Sequence, residues 1–137
     1  MAMPESPQIF RVALQVTDIE AAARFYSSLL GIEGRSIRGA RYYFDCGPVI
    51  LALVGPGEGL ARPNPDDLYF SVKDLEAIYA RASHLGCLAQ GLVHGAPAGS
   101  IVVRPWGERS FYAMDLDGNE LCFVEASTVF TGRRAGA

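Results

Sequence analysis

The chain has 137 residues, half of them hydrophobic and a fifth charged, with a formal net charge of −3. That length fits one domain with a full core, and the charge balance excludes the basic surface that nucleic acid binding requires. No apolar run reaches the ~18 residues of a membrane helix, and "MAMPESPQIF" lacks the features of a secretory signal, so the cytoplasm is the expected location.

In chain order, Val12, Leu14 and Val16 alternate with polar neighbours, which is strand periodicity. A helix follows at once. Thr17 and Glu20 have the spacing of a capping box, and Asp18 could cap equally well. Ile19, Ala22, Tyr26 and Leu29 recur at helical steps and give one buried face, and Gly31 supplies the left-handed C-cap. "ARYYFDCG" and "VILALVG" then read as strands joined by a tight Gly47-Pro48 turn. The connector "GPGEGLARPNPDD" holds a G-x-G-x-G run, but no helix follows to present its amides to a phosphate, so it reads as flexible.

The second half repeats the first. Val16 falls on Val72, Asp18 on Asp74, Ile19 on Leu75, Glu20 on Glu76 and Ala21 on Ala77, and both segments reach a Leu-Gly. Such a repeat implies two copies of one supersecondary unit. After its strand and helix, the second copy offers "SIVVRP", "RSFYAMD" and "ELCFVEA" as strands. Each half is thus a strand, a helix and about three strands.

Several features invite chemistry and have plainer readings. "DLDGNE", residues 115–120, lacks the third oxygen donor and the distant bidentate glutamate of a calcium loop. Asp117-Gly118 between two strand patterns signals a hairpin turn instead. Cys46, Cys87 and Cys122 are odd in number without a C-x-x-C pair, so neither a disulfide framework nor a zinc site follows. Lys73, the sole lysine, sits at a helix entry as a solvated charge. His84 falls on the second helix and His94 in a loop, as surface or half-buried side chains.

The two βαβββ halves, with "VTDIEAAARFYSSLLG" in one and "WGERSFYAMDLDGNELCFVE" in the other, resemble the vicinal oxygen chelate superfamily. It comprises glyoxalases, bleomycin-resistance proteins and extradiol dioxygenases, and the Trp-Gly and Asp-x-Asp-Gly-Asn signals point to the glyoxalase and bleomycin-resistance-like branch. The resemblance implies an α+β fold in which two βαβββ modules form a cupped mixed sheet. It makes residues 1–137 one domain, with modules at about 9–54 and 67–126, a linker at 55–67 and a tail at 127–137.

The family's metal ligands correspond by this resemblance to Arg11, Ala52, Asp67 and Cys122. Arginine and alanine offer a metal no lone pair, and a carboxylate with a thiolate is a poorly matched remainder. No metal and no cofactor are therefore expected. By the same resemblance Arg11 and Asp67 face the cup. They would either neutralise each other, or Arg11 would hold a carboxylate or phosphate while Asp67 takes a cation or hydroxyl.

Tyr42 and Phe44 share one strand face, and with Trp106, Tyr112 and Met114 they are candidates for the cup's apolar wall, core packing being the alternative. Cys122 could act as a nucleophile or as a small buried hydrophobe. The expected function is metal-independent binding or sequestration of a small organic molecule by a homodimer. The competing expectations are a glyoxalase-like lyase, isomerase or dioxygenase with an atypical site, and a noncatalytic interaction module.

Overall fold

The computed structural model describes residues 6–56 and 61–133. Strand β1 spans Arg11–Gln15 and leads into helix α1, Ile19–Leu30. Asp18 takes the N-cap, its carboxylate accepting from Ala21 N at 3.0 Å, and Gly31 closes the helix at φ 70°. Three strands follow: β2 at Arg35–Ile37, β3 at Arg41–Cys46 and β4 at Val49–Val54. The second half repeats the plan with β5 at Leu68–Val72 and α2 at Leu75–Leu85, capped in the same way by Asp74 and Gly86. A small ribbon, β6 at Leu92–Val93 and β7 at Ala96–Pro97, precedes β8 at Val102–Val103, β9 at Arg109–Met114 and β10 at Glu120–Glu125.

Two four-stranded sheets result, ordered β1-β4-β3-β2 and β5-β10-β9-β8. In each, the first strand runs parallel to the last strand of its own half, with Ala13 opposite Ala52 and Tyr69 opposite Cys122. The sequence reading missed β2 and the β6–β7 ribbon. They are three and two residues long, too short for alternation to show. The ribbon turns at His94 and Gly95, both at positive φ.

One face of each sheet packs on the helices. Leu14, Phe44, Leu51 and Leu53 from the first sheet and Phe111, Leu121 and Phe123 from the second join Tyr26, Leu29, Leu75 and Ile78 in a single core. The two halves are also stitched by polar contacts. Arg81 donates from Nε to Leu29 O at 3.0 Å, satisfying a carbonyl that the α1 C-terminus leaves free. Asp117 Oδ1 accepts from Thr17 N at 2.9 Å, so the 115–119 stretch is a hairpin turn that also holds the entry of α1. In the connector, Arg62 N donates to Gln15 Oε1 and Asn64 N to Asn119 Oδ1, while Gly57 and Gly59 of the G-x-G-x-G run lie outside the described residues. No described helix is long and apolar enough to cross a membrane.

Candidate functional site

Because strand side chains alternate, the face of the second sheet turned away from the core is set by register. It carries Asp67, Tyr69 and Ser71 at β5, Glu120, Cys122 and Val124 on β10, and Ser110, Tyr112 and Met114 on β9. Residues 87–106 fold back over this face, held where Leu88 bridges to Ala113 and where Ala89 N donates to Tyr112 O. Between sheet and loop lies a cavity of about 790 Å³. That is within the size range of small-molecule pockets.

Tyr69, Leu92, Trp106, Tyr112 and Met114 give the cavity an apolar and aromatic wall, and Asp67 and Glu120 give it carboxylates. The indole of Trp106 is fixed by donating from Nε1 to Glu108 Oε1 at 2.6 Å, and His94 meets it edge-on at 5.1 Å. Behind Tyr112 lies the guanidinium of Arg104, 5.0 Å from the ring centroid. Arg104 is buried and donates to the carbonyls of Pro97, Ala98, Ser100 and Ser110 and to the Ser110 hydroxyl. Its fork is thus occupied by the protein itself. Burial holds the Tyr112 hydroxyl above its ordinary value. Burial, followed by the charges of Glu120 and Asp66, also raises the Asp67 carboxyl.

Of the residues that the sequence singled out, Asp67, Trp106, Tyr112 and Met114 meet at this cavity. The others do not. Tyr42 and Phe44 share a face, as alternation requires, but it is the helix side: their register partners are Leu53 and Leu51, and Phe44 is fully buried. Phe44 is a core residue, the half-buried Tyr42 packs against that core, and their neighbour Tyr43 is the one turned the other way. Cys122 is 1% exposed and lies outside the cavity lining. Burial pushes its thiol up to about 11, as suits a small buried hydrophobe.

Arg11 and Ala52 belong to the first sheet and lie outside the cavity. Arg11 donates from Nη1 to the Tyr43 hydroxyl at 3.4 Å and stacks on Phe10 and Tyr43. It does not pair with Asp67: the described ion pairs are Arg35–Asp45, Arg109–Glu76 and Arg109–Glu125. The sequence reading missed Tyr69 and Glu120. Both were accessible from alternation, since each stands two residues from a position already placed in the cup.

The donor set can be tested against the metal that the related fold implies. Arg11 and Ala52 have nothing to donate, and Cys122 is a soft thiol, 1% exposed and outside the cavity that Asp67 lines. Asp67 is left alone. Among the described residues, no three His, Cys, Asp or Glu side chains gather to hold a metal ion. The residues of this chain do not fit the group.

The sequence profile described as Glyoxalase/Bleomycin resistance protein/Dioxygenase superfamily matches residues 8–123. No curated protein matches the chain. Among solved structures, the chain is similar to oxidase ChaP-H1, with 24% identity and a TM-score of 0.73 over 96% of this chain and 100% of that one. A glyoxalase/bleomycin resistance protein from Albidiferax ferrireducens T118 is 20% identical, with a TM-score of 0.67 over 85% of this chain and 98% of that one. TioX from Micromonospora sp. ML1 is 19% identical, with a TM-score of 0.66 over 88% and 99% of the two chains. At these identities the likeness establishes the fold alone.

Proposed function

Since the chain belongs to the Glyoxalase/Bleomycin resistance protein/Dioxygenase superfamily, we propose that it binds a small organic molecule without a metal, in the cavity of its second sheet. The observation that carries this reading is the pairing of that 790 Å³ cavity with a defective donor set. The aromatic wall is built and braced, whereas the ligand positions hold Arg11, Ala52 and a buried Cys122. Flat apolar ligands gain area and stacking from such a wall.

The same reading takes the working unit to be a homodimer. The outer face of the first sheet carries an apolar strip of Ala13, Ile50, Ala52 and Val54, framed by the exposed Arg11, Arg41 and Asp45, with the exposed Ile9 and Phe10 at its edge. An apolar strip within a charged frame has the make-up of a contact surface for a second copy. The free thiols of Cys46, Cys87 and Cys122 suit a reducing compartment such as the cytoplasm.

Two similar structures titled oxidases, ChaP-H1 and ChaP-H2, favour a second reading as an enzyme. In it, the raised Asp67 carboxyl beside Tyr69 would serve as a proton acceptor. Binding and turnover of small aromatic compounds by the wild-type protein and a Tyr69→Ala/Met114→Ala variant separate the two. The binding reading expects compounds to bind unchanged and be recovered intact, and the variant, folded by circular dichroism, to bind them at least about tenfold more weakly. Recovered product would favour the enzyme, and full affinity in the variant would remove the cavity from the account.

A further inference from the structure

The cavity also carries a sign. Among the described residues, none that lines it is an arginine or a lysine, and His94 is the one basic side chain there. Asp67 and Glu120 stand side by side at the ends of β5 and β10, one step before the paired Leu68 and Leu121. Asp66 adds a third negative charge next to them. Neither Asp67 nor Glu120 enters an ion pair among the described residues. Asp115, the other carboxylate in the lining, is committed: its oxygens accept from Tyr26, Asp117 and Asn119.

The aromatic wall has the same preference. Tyr69, Tyr112 and Trp106 line the cavity, and the face of an aromatic ring attracts a cation and repels an anion. Glu108 strengthens this at Trp106, because a carboxylate accepting the indole N–H pushes density into the ring. Arg104 acts against it from behind Tyr112. It is 2% exposed, its donors are occupied by protein oxygens, and it is outside the lining, so it offers no fork to an anion.

We propose that the cavity takes an organic cation, a protonated amine or amidinium on an aromatic or apolar body, with its charge at Asp67 and Glu120 and its body against Tyr69, Trp106 and Tyr112. This rests on the binding reading above and deepens it. It also reverses the sign expected from Arg11, which lies on the other sheet. The carboxyl of Asp67, already raised by burial and its acidic neighbours, would return toward the ordinary range on binding.

The test uses three matched probes, phenethylamine, phenethyl alcohol and hydrocinnamate, which share a phenylethyl body and differ in charge. Trp106 is the only tryptophan of the chain and lines the cavity, so its fluorescence reports binding, with backbone amide NMR as the second readout. Phenethylamine should bind about tenfold more tightly than the alcohol, and hydrocinnamate most weakly. Asp67→Asn/Glu120→Gln should remove that preference, bringing the amine down to about the affinity of the alcohol. If the double variant does not fold, Glu120→Gln alone, at an exposed position, should weaken the amine selectively. Hydrocinnamate or the alcohol binding as tightly as the amine would overturn the cation assignment and leave the cavity standing. If none of the three perturbs Trp106 or the cavity amides, the binding reading itself fails, and this inference fails with it.

Discussion

The Tyr26 hydroxyl donates a 2.6 Å hydrogen bond to Asp115 Oδ2 and so ties the first helix to the hairpin turn of the second half. Asp115 is the hub of that turn. Its Oδ1 accepts from Asp117 N and Asn119 N, and its Oδ2 also accepts from Asn119 Nδ2. Tyr26 is fully buried, and burial followed by the Asp115 charge holds its hydroxyl far above the ordinary value, so it remains a donor. A stretch that resembles a metal loop in sequence is thus an internal joint between the halves.

Removing one side of that joint should cost stability. Tyr26→Phe deletes a buried hydrogen bond to a charged acceptor, for an expected loss of ~1.5–3 kcal/mol. Asp115→Ala should cost more, on the order of 3–5 kcal/mol, because it strands the hydroxyl and three further donors. Urea denaturation of both variants checks the order. An Asp115→Ala loss no larger than that of Tyr26→Phe would mean the turn is held by its backbone alone.

The acid dependence of stability should be visible at Asp67. Its folded carboxyl titrates above its unfolded value, so the folded protein holds that proton more tightly. The contribution is fully present below the unfolded pKa and is lost as pH rises through the higher folded one. Asp67→Asn should therefore melt higher than wild type at neutral pH, with the advantage fading in the acid range. Melting curves across pH test this. A variant less stable than wild type at neutral pH would mean that a cation, such as Arg11 of a second copy, already neutralises Asp67.

Assembly is tested by sedimentation. The account expects a particle of about 29 kDa, twice the 14.7 kDa chain. Ile50→Glu, on the outer face of the first sheet, should shift it toward monomer without loss of secondary structure. A wild-type monomer at all concentrations would contradict the dimer.

Metal content follows from the donor set. With Arg11 and Ala52 at two of the positions that the family resemblance gives to metal ligands, and the buried thiol of Cys122 at a third, purified protein should hold well under one equivalent of zinc, manganese, nickel or iron after dialysis. Elemental analysis gives the answer directly. A stoichiometric metal that survives dialysis would require ligands from a second chain or an unrecognised set.

Most of the fold was legible because its signals are local and repeated. Asp18 and Asp74 cap, Gly31 and Gly86 terminate, and the alternating runs around them place the long strands. The site was legible only in part, for a physical reason. Alternation says that Tyr42 and Phe44 share a face but not which one, and only pairing with Leu53 and Leu51 turns them to the helices. Asp67, by contrast, was placed in the cup by the family resemblance, and Tyr69 follows two residues on. Arg104 left no trace in sequence as a buried cation, since its partners are mostly backbone carbonyls that composition cannot reveal.

Binding without metal is the central claim, and one titration tests it most directly. Amide NMR spectra would be recorded with a set of small aromatic fragments, first in excess EDTA and then after adding iron, manganese or zinc. The account predicts that fragments shift the amides of Tyr69, Trp106, Tyr112 and Met114 in EDTA, and that added metal changes neither the pattern nor the affinity. Shifts at these residues that appear only once a divalent metal is present would contradict it.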